Sequence, residues 1–364
     1  MRGIIRGIAG AVIAGMCVAA QAQPAAPGAT FTVRAGQSIQ AAIDRAQAGD
    51  RIEVHPGVYH ESLTVDRDGI TLAGITDSGE RPTLDGKSEM ADGVVASGSS
   101  FTISGFYIKD YQGNGVVVNK ARNVTFRDLI LENPGLYGVY PVECQGVLVE
   151  SCVVSKASDA GIYVGQSRDI VVRNCEAYHN VAGIEIENSV NAIVSNNSAH
   201  HNTGGLLVFV LPNNPSKEGK NCRVINNRVW ANNLENFGKP GTTVAAIPPG
   251  IGMFVMAADN TEVTQNVLAD NGSYAISVLS VANSKLPQDA LKTMDIEPNS
   301  DDTRIHHNTY INNGKAPSPA YLAGFANVPP GDLFWDGTGT GNTWEETGEL
   351  ATFPAGLLKS AAVK

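Results

Sequence analysis

A glycine followed by an apolar-x-apolar triplet recurs along the middle of the chain. Gly115, Gly138, Gly161, Gly183, Gly205 and Gly252 open "GVVV", "GVYP", "GIYV", "GIEI", "GLLV" and "GMFV", and Ala275 opens "AISV" in the same place. The intervals are 23, 23, 22, 22, 47 and 23 residues, and an inserted loop would account for the doubled one. A second series runs in phase with the first: "FTISGF", "VTFRDL", "VLVESC", "IVVRNC", "AIVSNN", "CRVINN", "EVTQNV" and "RIHHNT". Two columns sharing one period require a structure that repeats once per period, which is a solenoid. Helical repeats need apolar residues at 3.6-residue spacing, whereas these coils are short Val/Ile-rich runs separated by Gly, Asn, Asp and Ser. The expected fold is all-β, a parallel β-helix of about 22–23-residue coils.

The second series ends in a column of Asn197, Asn227, Asn266 and Asn308, with Cys152 and Cys175 at the equivalent places before it. Stacked asparagines can satisfy one another's amides at a tight turn and tolerate a left-handed backbone there, so the column reads as a structural ladder. Cys152 and Cys175, one coil apart, read as small buried fillers of that ladder, at a spacing that a disulfide could also bridge. Upstream, "SIQAAIDRAQAGDRIEVHPGVYHES" predicts a helix from Ser38 to Ala48, N-capped by Ser38 and closed by Gly49, leading into a strand Arg51–His55. A solenoid must cover its open end, and this helix is placed to do so. Downstream, Trp335, Trp344 and Phe353 fall where the period breaks, which predicts an opposite cap and tail over residues 335–364, leaving 31–334 for the β-helix.

The N-terminus constrains the compartment. "MRGIIRGIAGAVIAGMCVAAQAQ" has Arg2 and Arg6, an apolar run from Ile8 to Ala20 and small residues at Ala20 and Ala22, the pattern of a secretory signal over residues 1–22. Residues 23–30 are rich in Pro, Ala and Gly and read as a disordered linker, and the protein is expected to be periplasmic or secreted. The chain carries 26 Lys and Arg against 36 Asp and Glu; losing Arg2 and Arg6 leaves 24 − 36 = −12. Such a charge disfavours nucleic acid and anionic lipid, and no later segment is apolar enough for membrane insertion. Cys144, Cys152, Cys175 and Cys222 form no C-x-x-C pair, so zinc ribbons and redox dithiols lack their signature.

On these residues the chain resembles the pectate-lyase-like superfamily of right-handed β-helix proteins, through "SIQAAID…AGDRIEVHPGVYHE" followed by Gly-led coils. The run "SDAGIYVGQS…VAGIEIENS…NTGGLLVF" is similar to a narrower group of exported bacterial parallel β-helix repeat proteins. The superfamily resemblance implies a sugar lying along one outward strand face between long loops. The narrower one implies a c-type cytochrome encoded nearby as a partner.

Alternation along "VAGIEIENSVN" turns Ile184 and Ile186 inward and Glu185 and Glu187 outward. Side chains two apart on one strand face are roughly 6–7 Å apart at their base, a separation compatible with an acid/base pair acting on a glycosidic bond. The outward positions of the Gly-led strands form two rows, Val117, Tyr140, Tyr163, Glu185, Leu207, Phe254, Ser277 and Asn119, Val142, Gly165, Glu187, Phe209, Met256. Three long insertions abut them: "LPNNPSKEGKN", "ENFGKPGTTVAAIPPG" and "NSKLPQDALKTMDIEPNSDD". Glu185 and Glu187 are therefore the candidate catalytic pair, and Tyr140, Tyr163, Phe254 and Phe209 the candidate substrate-binding residues for a polysaccharide. The alternative is a non-catalytic scaffold docking a protein such as a c-type cytochrome through Leu207, Phe209, Phe254 and Met256. Glutamates on an ordinary solvated strand face, with the apolar residues covered by the loops, are the plainer account of the same pattern.

Reaction signatures that the superfamily resemblance brings to mind do not carry over. The strand rows hold no Arg or Lys to act as a lyase base, there is no aspartate triplet with G-H-G, and "GVYPVE" puts Tyr140 and Val142 where epimerases have Asp and His. His179 and His201 share a turn column and could form a two-histidine metal site, but turn polarity explains them more simply. No metal or cofactor is expected.

Overall fold

The computed structural model describes residues 28–286, 289 and 291–360. The expected leader over residues 1–22 lies outside the described residues, as do residues 23–27. Ten coils each contribute one strand to three sheets, which incomplete turns at the two ends extend to 12, 11 and 10 strands. One coil, for example, runs through Arg168–Arg173, Glu176–Tyr178 and Ala182–Glu187 before the chain enters Val190–Ser195, directly beside Arg168–Arg173. All the strand pairs are parallel and join successive coils, which makes a right-handed parallel β-helix. No described helix is long and apolar enough to cross a membrane.

Alternation does the packing. Ile184 and Ile186 are buried inside the coil, as are Val164, Leu206, Val208 and Val255 in the neighbouring Gly-led strands. The Gly-led strands all belong to the 11-stranded sheet, whose central members are Val116–Asn119, Val139–Val142, Ala160–Gly165, Ala182–Glu187, Gly204–Phe209, Ile251–Met256 and Tyr274–Leu279. Glycine recurs here because the next coil leaves little room for a side chain. A Cβ added to Gly183 would lie 2.5 Å from the carbonyl oxygen of Gly205 and 2.9 Å from Asn202 Nδ2. Gly183→Ala is therefore expected to cost roughly 1–3 kcal/mol by overpacking, read as a lower thermal midpoint. Wild-type stability in that variant would remove this account of the repeat.

The asparagine ladder forms as expected. Nδ2 of Asn197, Asn227 and Asn266 donates to Oδ1 of the next member at 3.0, 3.0 and 2.9 Å. Cys152 and Cys175 head the column as free, buried thiols, and Cys175 N–H donates to Asn197 Oδ1 at 2.9 Å. The left-handed backbone, however, belongs to the residue before each ladder member: Asn196, Asn226, Gln265 and His307 have φ of 57, 58, 57 and 57°. The ladder asparagine is thus needed for its amide and not for its backbone. A second ladder, Asn180, Asn202, Asn232, Asn271 and Asn313, lines the turn before the Gly-led strands. It escaped the sequence reading because its members lie between the two series that define the repeat.

The capping helix spans Ile39–Arg45 and is shorter than expected. Ser38 caps it as predicted, and Glu61 accepts from the Ile39 and Gln40 N–H groups at 2.8 and 3.0 Å. The Asp50 carboxylate takes the Gln47 N–H at 2.7 Å and draws the chain out of the helix before Ala48. At the other end the stacking runs past residue 334. Gly331–Trp335 pairs with Tyr274–Leu279 and Thr343–Glu345 with Arg304–His306, so Trp335 and Trp344 belong to strands of the last coil. The insertion between Ile311 and Gly331, which includes a short helix Pro319–Gly324, hides the period there.

Candidate functional site

The two outward rows stand in the predicted register. Tyr163, Glu185, Leu207, Phe254 and Ser277 are neighbours on successive strands, and Gly165, Glu187, Phe209 and Met256 form the row beside them. The loops decide what the rows become. Glu185 is only 4% exposed and Glu187 8%, although both point away from the coil interior. Leu207, Phe209 and Met256 are buried as well, so the expected protein-docking patch is covered by the protein's own loops. That removes the surface on which a cytochrome was expected to dock.

Covering the row creates a chamber. Its floor is Glu185 and Glu187, its flank Asp159 and Tyr137, and its roof Val244 and Ile247 from the second insertion with Leu286 from the third. No cation lines it among the described residues. Asp159 immediately precedes the strand Ala160–Gly165, and Tyr137 lies just before Val139–Val142. Neither sits in an alternating outward row, which is why periodicity did not find them.

Hydrogen bonding treats the three carboxyls differently. Glu187 accepts from Asn214 Nδ2 at 2.6 Å and from the Tyr163 hydroxyl, and the Tyr163 oxygen is in turn 3.1 Å from Gln166 Nε2. Asp159 accepts from Tyr137. Glu185 has no hydrogen-bond or ion-pair partner among the described residues. Burial, reinforced by the negative charges of Asp159 and Glu187, pushes the Glu185 carboxyl well above the ordinary range. Burial also raises Glu187, with Tyr163 and Asn214 pulling the other way. Asp159 is pushed up to about 6, by burial first, against the pull of Tyr137. The chamber thus holds an unpartnered acid whose pKa is pushed well up beside a carboxyl pushed up to about 6.

The aromatic residues take positions other than those expected. Tyr137 and Tyr140 stack at 4.3 Å between centroids, and Tyr163 tilts against both at 5.0 and 4.9 Å. Tyr163 is 4% exposed, so its ring faces protein and its hydroxyl serves Glu187, where an open stacking platform was expected. Phe209 is likewise buried, while Tyr140 and Phe254 are half-buried.

The first insertion is held down at both ends. Asn188 Nδ2 donates to the Leu211 and Ser216 carbonyls at 2.9 and 2.7 Å, and Lys217 pairs with Asp295 of the third insertion at 2.5 Å. Removing the Asn214 contact is expected to loosen this cover. Asn214→Ala should speed tryptic cleavage after Lys217 about fivefold, the equivalent of one hydrogen bond of about 1 kcal/mol. An unchanged cleavage rate would show that Asn214 does not hold the loop.

The histidine column is a turn. His179 and His201 have φ of 56 and 53° and each precedes an asparagine of the second ladder. Their rings lie 5.8 Å apart, edge to face, and His200 stacks on Trp230 at 4.1 Å. Among the described residues the one group of three side chains able to meet on a metal ion is Asp259, Glu297 and Asp301, away from the chamber. There the Asp259 carboxylate already accepts the Asp301 N–H at 3.1 Å, as in an ordinary loop.

Comparison with known proteins agrees with this architecture. The family model described as "Right handed beta helix region" matches residues 114–326. No curated protein matches the sequence significantly. Among solved structures, the chain is similar to the alginate lyase of Paenibacillus sp., at 15% identity over 79% of this chain and 99% of that one, with a TM-score of 0.56. It is similar to the family 28 exopolygalacturonase of Yersinia enterocolitica, at 12% identity over 87% and 77%, with a TM-score of 0.54. It is also similar to the DFA-IIIase of Arthrobacter chlorophenolicus A6, at 11% identity over 90% and 93%, with a TM-score of 0.55. At these identities the likeness is one of fold.

Proposed function

Because the chain belongs to the right-handed β-helix family, whose fold it shares with enzymes named for alginate and polygalacturonan, we propose that it binds and hydrolyses a glycan in the covered acidic chamber. The observation that carries this is Glu185: a buried carboxyl, pushed well above the ordinary carboxylate range and without a hydrogen-bond partner among the described residues, facing Asp159 and Glu187. A carboxylic acid kept protonated near pH 7 can give a proton to a departing glycosidic oxygen. Asp159, titrating near 6, is the group suited to take a proton from water on the opposite side. Glu187, held by Tyr163 and Asn214, positions the pair and supplies an acceptor for a sugar hydroxyl.

The absence of any cation from the chamber lining favours a neutral sugar over a uronate, since a carboxylate beside three carboxyls would be repelled. The test is a screen of neutral and acidic poly- and oligosaccharides for binding and release of reducing ends, run beside the Glu185→Gln variant. Cleavage of a neutral glycan that is lost in the variant supports the reading; no activity on any member, or activity untouched by the substitution, overturns it. The same reading places the protein outside the cytoplasm, with residues 1–22 as its leader, which N-terminal sequencing of exported protein would check.

A further inference from the structure

Beside the acidic chamber lies a second cleft, open to solvent on one side, and the two share Thr243, Ile247, Phe254, Met256 and Leu286 as their common wall. The strand rows build it. Two coils beyond Glu185 the outward row continues as Phe254, Ser277 and Phe334, so the carboxyl gives way to rings with one small residue between them. Tyr274 enters from the start of its strand, and the short helix Pro319–Gly324 brings Tyr321, followed by Phe325. These rings pack on one another, Tyr274 against Tyr321 at 6.0 Å and Phe334 at 5.5 Å, and Tyr321 against Phe325 at 5.3 Å. Lys285 supplies the charge in the lining, its Nζ 5.6 Å from the Phe325 ring centre.

A concave lining of apolar and aromatic side chains with one charged group is the usual make-up of a small-molecule site. A chain made only of sugar rings would fill it badly, because hydroxyl groups entering an apolar space lose water and find few partners. An apolar group gains there what the sugar would lose. We infer that the substrate is a glycoside whose sugar occupies the acidic chamber and whose attached group is an aryl or alkyl aglycone seated among Phe254, Tyr274, Tyr321, Phe325 and Phe334. This rests on the chamber being a glycan site, and it makes the shared wall of Phe254 and Met256 the place where sugar and aglycone meet.

The experiment compares methyl, octyl and 4-nitrophenyl glycosides of the same neutral sugars by calorimetry on the full chain, with 1-anilinonaphthalene-8-sulfonate as an apolar probe that needs no sugar. Octyl or nitrophenyl glycosides are expected to bind at least tenfold more tightly than the methyl glycoside. Ala246→Trp, which fills the cleft from the second insertion, should bring the ratio close to one; Ser284→Trp fills it from the third insertion should the first variant fold poorly. Equal binding of methyl and octyl glycosides to the wild type would overturn the inference while leaving the glycan reading in place. If no glycoside binds, the glycan reading falls and the aglycone assignment falls with it. The sulfonate probe then decides the cleft alone: saturable one-to-one binding, blocked in Ala246→Trp, marks it as an apolar ligand site of another kind.

Discussion

Glu185→Gln should lower turnover of the cognate glycan by about 10²–10⁴-fold while making the protein more stable at pH 8. The two effects have one cause. Glu185 is 4% exposed, carries no partner and faces two further carboxyls, so its folded-state pKa lies well above the 4.5 of the free side chain. A carboxyl whose pKa is raised by folding contributes fully to stability below its unfolded value, and that contribution is lost as the pH rises through the folded value. Asp159 gives the scale: moving its pKa from 3.8 to about 6 costs the fold about 3 kcal/mol once the pH exceeds 6. Gln keeps the shape of Glu185 and removes the ionisable group. The variant and the wild type should therefore unfold at similar temperatures at pH 4, and the variant several degrees higher at pH 8. Thermal unfolding across that interval, together with reducing-end release, checks both halves. A variant that loses activity and is also destabilised at pH 8 would mark Glu185 as a structural residue, and retained activity would remove it from the chemistry.

This cost is the physical argument that the chamber is built for work. A protein gains nothing in stability by gathering Asp159, Glu185 and Glu187 under a cover without a cation, and clusters of raised carboxyl pKa values concentrate where proton transfer is needed. The same chamber shows where sequence reading stops. The repeat, the parallel sheets, the asparagine column and the register of Glu185 and Glu187 follow from a period of 22–23 residues and alternation within it, and the Ser38 cap from the helix-start pattern ahead of it. Those are local rules, and each coil obeys them independently. What alternation cannot convey is whether an outward side chain meets water or a loop. Phe209 reads as an open platform but is buried where Val244, Ile247 and Leu286 of the later insertions return beside it, and Tyr163 is buried against Tyr137 and Tyr140; Asn214, likewise, reaches Glu187 across 27 residues. Asp159 and Tyr137 were missed for a related reason. They occupy turns just outside the strands, where side-chain direction is set by the turn and not by a period of two.

Asn202→Ala is expected to be the most damaging single substitution in the scaffold, costing about 3–5 kcal/mol. Asn202 is fully buried in the middle of the second ladder. Its Oδ1 accepts from the Asn180 backbone N–H and from Asn180 Nδ2 at 2.9 and 3.1 Å, while its Nδ2 donates to the Ala177 carbonyl and to Asn232 Oδ1 at 2.9 and 3.0 Å. Alanine leaves the Asn180 N–H without its acceptor and the Ala177 carbonyl without its side-chain donor, and each stranded buried group costs roughly 1–3 kcal/mol. The loss falls one coil from the acidic chamber, since Asn202 sits just ahead of Gly204–Phe209, the strand that follows Ala182–Glu187. In a solenoid each coil is held chiefly by its neighbours, so damage there should separate the unfolding of the N-terminal coils from that of the C-terminal ones. Denaturant titration should show a lower midpoint and a broadened or split transition, whereas Asn327→Ala, at an exposed turn, should change stability by less than about 0.5 kcal/mol. Equal effects of the two substitutions would mean that the ladder is ornamental. A large loss confined to Asn202 would establish that the hidden amide column holds the coils around the chamber in register.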